Sequence, residues 1–115
     1  MSFEDLEVWK KAARLCKKVY KAMAALKDYG FRDQITKSSL SIPSNIAEGM
    51  ERFSVKEKVR FLDIAKGSAA ELRTQTYIGT EIGYISPEDG KEWTEETREI
   101  SSMLVGLMKS LGKDS

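Results

Sequence analysis

A chain of 115 residues lies near the commonest domain size, and no Pro/Gly/Ser-rich break divides it, so a single domain over residues 1–115 is expected. The 19 Lys and Arg against 18 Asp and Glu leave a formal charge of +1, which excludes a general attraction to nucleic acid or anionic membrane and requires any such partner to meet a local patch. The absence of His, a single cysteine, no long apolar run and no basic-then-apolar leader exclude imidazole chemistry, an internal disulfide and a spanning helix, and point to a cytoplasmic chain off the membrane.

From Leu6, the apolar residues Leu6, Trp9, Ala13, Cys16, Tyr20 and Met23 recur at spacings of three and four, which keeps them on one helical stripe. Ala12, Val19 and Leu26 widen that stripe. The spacing predicts a first helix that ends near Tyr29-Gly30, with Gly30 in the left-handed closing position. Cys16 then fills core space as an inert buried thiol.

A second segment over about residues 31–53 places Phe31, Ile35, Ile42, Ile46 and Phe53 at helical spacings, with Pro43 in its middle. Proline lacks an amide donor and frees the carbonyl of Ser39. Either one helix kinks there, or it stops and restarts with Asn45 as a cap answered by Glu48. The kinked continuous helix is the favoured form.

Ser54-Val55-Lys56-Glu57 has the pattern of a capping box and opens a third helix that can run to about Ile85. Gly67, Gly79 and Gly83 each cost about 1 kcal/mol relative to alanine inside a helix, so they call for a packing reason. One stripe (Phe61, Ala65, Ala69, Leu72, Thr76, Gly79, Gly83) is made largely of small residues. A second (Ile64, Gly67, Glu71, Ile78, Ile82, Ile85) exceeds what one bundle core can bury, so Ile64, Ile78 and Ile82 are expected at a homo-oligomer interface.

Ser86-Pro87-Glu88-Asp89 combines a serine cap, proline at the first helical position and acids in the first turn. Trp93, Ile100, Leu104, Leu107 and Leu111 continue a fourth helix, with residues 112–115 read as its frayed end. Short connections between four periodic segments predict an all-α fold, an antiparallel up-and-down four-helix bundle.

No catalytic apparatus is legible. Without histidine there is no base for Cys16, Ser38, Ser39, Ser41 or Ser44, and none of the Glu-x-x-His pairs of di-iron bundles. Glu48, Asp63 and Glu71 could converge as carboxylates, but without further ligands a structural role for each is the favoured reading. There is no glycine-rich phosphate loop, and no cofactor is expected.

The one dense polar motif is Ser41-Ile42-Pro43-Ser44-Asn45-Ile46-Ala47-Glu48-Gly49, followed by Arg52 and, in the next helix, Gly67-Ser68 and Glu71-Leu72. Together with Phe3, Leu6, Val8-Trp9, Ala12, Tyr20, Gln34, Phe61-Leu62, Ile64-Ala65 and Gly83-Tyr84, it resembles the bacterial four-helix-bundle proteins encoded in intervening sequences of 23S ribosomal RNA genes. That resemblance spans nearly the whole chain. It implies a ring-shaped homo-oligomer, a pentamer, without enzymatic activity, and kinship with the accessory bundle protein of diversity-generating retroelements, which works with a reverse transcriptase and binds nucleic acid. The departure is Ile35-Thr36-Lys37-Ser38-Ser39, where such proteins usually carry an Arg-Arg pair and alanines. Read physically, Ser41, Pro43, Ser44, Asn45, Glu48, Gly49, Arg52, Ser68 and Glu71 form a structural polar motif more readily than a ligand site. Asn45, Glu48, Arg52 and Glu71 are expected in one paired network.

The first helix carries Lys10, Lys11, Arg14, Lys17, Lys18, Lys21 and Lys27 with no acid between Val8 and Lys27. At one hundred degrees per residue, all but Lys27 share a face roughly opposite the apolar stripe. The fourth helix carries Glu88, Asp89, Glu92, Glu95, Glu96 and Glu99. One reading is a solvated face. A second makes Lys10, Lys11, Arg14, Lys17, Lys18 and Lys21 a site for RNA or DNA, mostly electrostatic because Trp9 and Tyr20 are expected to be buried. A third is an interaction scaffold with itself or another protein, in which basic and acidic helices meet across subunit boundaries.

Overall fold

The computed structural model describes residues 2–113, and among these a short 3-10 turn (Phe3–Asp5) is followed by α1 (Glu7–Met23), α2 (Tyr29–Met50), α3 (Val55–Glu81) and α4 (Pro87–Lys113), with no strand. Each helix packs on its chain neighbour, and α4 closes the ring against α1 in the sparsest of the four adjacent-helix contacts. This is the expected up-and-down four-helix arrangement, 46 × 21 × 20 Å. The helix interiors bury Leu15, Val19, Ile35, Ile42, Ile46, Leu62, Leu72, Trp93, Ile100 and Leu104 in one core cluster. Removing such a side chain from water contributes about 1.5–3 kcal/mol each.

The boundaries are set by caps. Ser54 Oγ accepts from the Glu57 N–H at 3.1 Å, and Ser86 Oγ accepts from the Asp89 N–H at 3.1 Å. Only half of the box expected at Ser54 is made, because the Glu57 carboxylate accepts from Arg60 Nε at 3.0 Å instead. The reciprocal box forms at Ser2 and Asp5.

Several expectations are corrected. The first helix ends at Met23, six residues early, because Asp28 Oδ1 accepts from the Phe31 N–H at 3.1 Å and caps α2 from Tyr29. Gly30 therefore sits in the first turn of α2. The buried residues of α1 are Val8, Ala12, Leu15, Cys16, Val19 and Met23, a stripe that keeps Cys16 inside as expected but is rotated so that Trp9 and Ala13 are half-buried and Tyr20 is 43% exposed. Phe53 lies in the α2–α3 connection, fully exposed.

The third helix stops at Glu81, since Gly83 adopts φ +81°. The Tyr84 N–H then returns to the Gly79 carbonyl at 2.8 Å and the Gly83 N–H to the Thr80 carbonyl at 3.2 Å, which closes the helix. Ile85 consequently turns into the core. A Cβ on Gly79 would lie 2.9 Å from the Phe31 ring, so that glycine has its packing reason, while Gly67 is exposed with no neighbour and has none. Helical backbone continues through Gly112 and Lys113 in place of the fraying expected there; Asp114 and Ser115 lie outside the described residues.

The chain runs through Pro43 as one helix. Asn45 does not cap a restart. Its Nδ2 donates back to the Ser41 carbonyl at 2.8 Å, one turn earlier.

Candidate nucleic-acid interface

Alanine, lysine, arginine and leucine favour helix, and α1 contains neither glycine nor proline. Its cations fall three, four and seven residues apart, which places them on one side of the helix. The neighbouring helix then divides that side in two.

Towards α4, Lys11 Nζ lies 2.8 Å from Glu99 and 3.8 Å from Glu96, and Lys18 bonds to Glu92 and reaches Glu96 at 3.3 Å. Glu92, Glu96 and Glu99 stand one turn apart on α4, and Glu96 is shared by both lysines. The Lys18–Glu92 hydrogen bond raises the ammonium's pKa and lowers the carboxylate's, so both stay charged. Basic and acidic helices therefore meet within the chain at Lys11 and Lys18.

Away from α4, Lys10, Arg14, Lys17 and Lys21 are exposed. Lys10 has Glu7 of its own helix at 3.9 Å. Arg14, Lys17 and Lys21 have no acidic partner among the described residues.

Beside these cations the structure places rings that the sequence pattern assigned to the core. Trp9 meets Phe3 edge-on, with centroids 5.4 Å apart, and lines an open groove between α1 and α2. Tyr20 borders a second recess between the same helices, with Arg32 and Asp33. Leu40, Pro43 and Ala47 face Trp9 across the groove, and Lys17 is its only charged lining residue. Sequence reasoning missed Leu40 and Ala47. Their signal was the spacing of Leu40, Pro43 and Ala47, a second stripe on α2 beside its core stripe.

The family model of the 23S rRNA-intervening sequence protein matches residues 4–106, from the N-terminal turn through most of α4. The chain belongs to that family. A solved structure from Bacteroides thetaiotaomicron VPI-5482, described as a protein with unknown function from the S23 ribosomal protein family, is similar to it with a TM-score of 0.83. The two share 24% identity over 89% of this chain and 98% of that one, a likeness of fold. Among curated proteins none matches.

The polar motif lies wholly within the family match, and the structure divides it. Ser41 Oγ and Ser68 Oγ are 2.8 Å apart, and Asn45 Nδ2 donates to Ser41 Oγ at 2.9 Å, a stitch between α2 and α3. Glu48 pairs with Arg52 at 2.7 Å, and that guanidinium lies 4.6 Å from the Phe61 ring. Gly49 permits the α2–α3 approach, since a Cβ there would come within 2.9 Å of Phe61 Cβ and 3.2 Å of the Lys58 carbonyl. Glu71 is exposed and, contrary to expectation, makes no hydrogen bond or ion pair with Asn45, Glu48 or Arg52. Pro43 and Ser44 turn to the opposite side, into the α1–α2 groove.

In the departing segment, Ser38 Oγ donates to the Ile35 carbonyl at 3.1 Å and to Gln75 at 2.6 Å, and Ser39 Oγ to the Thr36 carbonyl at 2.8 Å. Cys16 is buried, and burial pushes its thiol pKa up. Among the described residues no group of three His, Cys, Asp or Glu could hold a metal, and no helix is long and apolar enough to cross a membrane. Ile64 and Ile78 of α3 and Ile82 at its C-terminal cap are 41%, 50% and 54% exposed.

Proposed function

We propose that this family member is a non-enzymatic, cytoplasmic homo-oligomer that binds RNA or DNA without strong sequence preference. The phosphates meet Lys10, Arg14, Lys17 and Lys21 on the free face of α1. The supporting observation is the division of the cations. Lys11 and Lys18 are neutralised by α4, whereas Arg14, Lys17 and Lys21 have no acid to compete with a phosphate. Lys11 and Lys18 thus leave the footprint or stand at its edge. A net charge of +1 makes the patch local, and repeating it around a cyclic assembly, a pentamer in this proposal, multiplies the field.

The decisive variant is K10E/K17E/K21E, with mass measured first and binding second at low and moderate salt. The expected result is unchanged mass and affinity reduced by more than about a hundredfold at low salt, since each lost lysine lowers the logarithmic salt slope by about one. An intact variant that binds like wild type overturns the reading.

A second reading, a scaffold that associates with itself or another protein, is favoured by the exposed isoleucines of α3. Dissociation of the assembly in the triple variant would put that reading in first place.

A further inference from the structure

The face assigned to phosphates borders a surface that phosphates do not explain. Between α1 and α2 runs an open groove of about 420 Å3, walled by Phe3, Trp9, Ala13, Leu40, Pro43 and Ala47. Leu40 is 48% exposed there, and Lys17 marks the rim. No acid lines the groove. The neighbouring recesses hold Glu48 and Asp33, each beside an arginine of its own helix, Arg52 and Arg32, and Glu51, which makes no ion pair among the described residues.

Along α1, Trp9 and Tyr20 bracket Lys10, Arg14 and Lys17. Trp9 and Tyr20 stand about 16 Å apart at 1.5 Å per residue, with Lys10, Arg14, Lys17 and Lys21 on a parallel line about a quarter-turn around the helix at one-turn steps. Regular cations suit a phosphate backbone, and an apolar cleft edged by rings suits the faces of bases. A duplex hides those faces in its stack, whereas a single strand offers them.

We propose that the α1–α2 groove takes the bases of a single-stranded nucleic acid while Lys10, Arg14, Lys17 and Lys21 hold its phosphates. This rests on the preceding reading and narrows it to one class of ligand. Binding is then not purely electrostatic. Bases against Trp9 and Leu40 add affinity that salt does not remove, about tenfold or more per base held.

The test uses the full chain and a thymidine oligonucleotide of about fifteen residues, an abasic strand of equal length, a duplex, and a base-free peptide rich in Leu and Glu. Trp93 is 1% exposed, so emission changes report Trp9. The thymidine strand should bind about tenfold more tightly than the abasic strand or the duplex and should shift Trp9 emission. Leu40→Gln, at an exposed position, should remove that preference and leave abasic binding unchanged. If thymidine and abasic strands bind alike without a change in Trp9 emission, the groove inference fails and the basic-face reading stands. An equal Trp9 response to the peptide also overturns it. If no strand binds even at low salt, both readings fall.

Discussion

The two flanks of α1 carry the same residue type in opposite electrostatic states. Towards α4, Lys11 and Lys18 are matched by Glu92, Glu96 and Glu99; away from it, Lys10, Arg14, Lys17 and Lys21 have no acid within 4 Å except Glu7 of the same helix. Six cations on one side of a helix are therefore not one patch. What a flank can bind depends on which carboxylates the next helix brings to it. The matched flank lies along the sparsest of the adjacent-helix contacts, so its ion pairs add to a seam with comparatively few other contacts. The unmatched flank is left for a partner.

The largest expected contrast is in stability. Reversing Lys11 and Lys18 together to Glu strips three acids of their partners and sets like charges against them. Because the pairs are partly exposed and screened, the cost should be about 1–2 kcal/mol, a fall in Tm of roughly 5–10 °C. The same double reversal at Lys17 and Lys21 should leave Tm within about 2 °C. Thermal melts in which the two variants behave alike would erase the distinction between the flanks.

A smaller and more selective contrast is in the salt dependence of nucleic-acid binding. Lys17→Gln should lower the logarithmic salt slope by about 0.7–0.9, whereas Lys11→Gln should leave it unchanged, because Glu96 and Glu99 already serve as its counterions. Equal changes in the two slopes would show that Lys11 leaves its acids to reach phosphate.

The features legible in the sequence are those decided locally. Ser54 and Ser86 announce the starts of α3 and α4 because a cap is a contact across three residues. Ends and faces were decided elsewhere. Asp28 caps α2 and also accepts from the Tyr84 hydroxyl at 2.9 Å, a tie between the two connections at one end of the bundle that no spacing reveals. On α1, both Val8-Ala12-Leu15-Val19 and Trp9-Ala13-Cys16-Tyr20 satisfy the helical period. Packing of α1 against α2 and α4 selected the first, which left Trp9 to line the groove and Tyr20 to border the second recess. The candidate site follows the same logic. The acid-free run of α1 is visible in the sequence, but its division required knowing that Glu92, Glu96 and Glu99 face it in the same chain.

The smallest effect is the pH dependence of the matched flank. Lys18 holds Glu92 below the ordinary glutamate value near 4.3. A carboxylate lowered in the folded state binds fewer protons there than in the unfolded chain. Its contribution is therefore fully present above the unfolded pKa and lost as pH falls through the folded one. Lys18 is raised, so its share is present below about pH 10.4 and lost as pH rises through the raised value. Between pH 5 and 10 the pair should add a constant increment, below about 1 kcal/mol because it is largely exposed. Asp28, lowered first by the Phe31 amide, falls off on the same acid side and contributes separately. Glu92→Gln should thus lower stability near pH 7 and reduce part of the decline below pH 4.3, leaving the share that belongs to Asp28. Glu95, exposed on α4 with no ion pair among the described residues, provides the comparison. Glu95→Gln should follow wild type in denaturant titrations at pH 3, 4 and 7. If the two glutamine variants give the same profile, the α1–α4 pair stores no pH-dependent stability, and Lys18 is as available to a phosphate as Lys17.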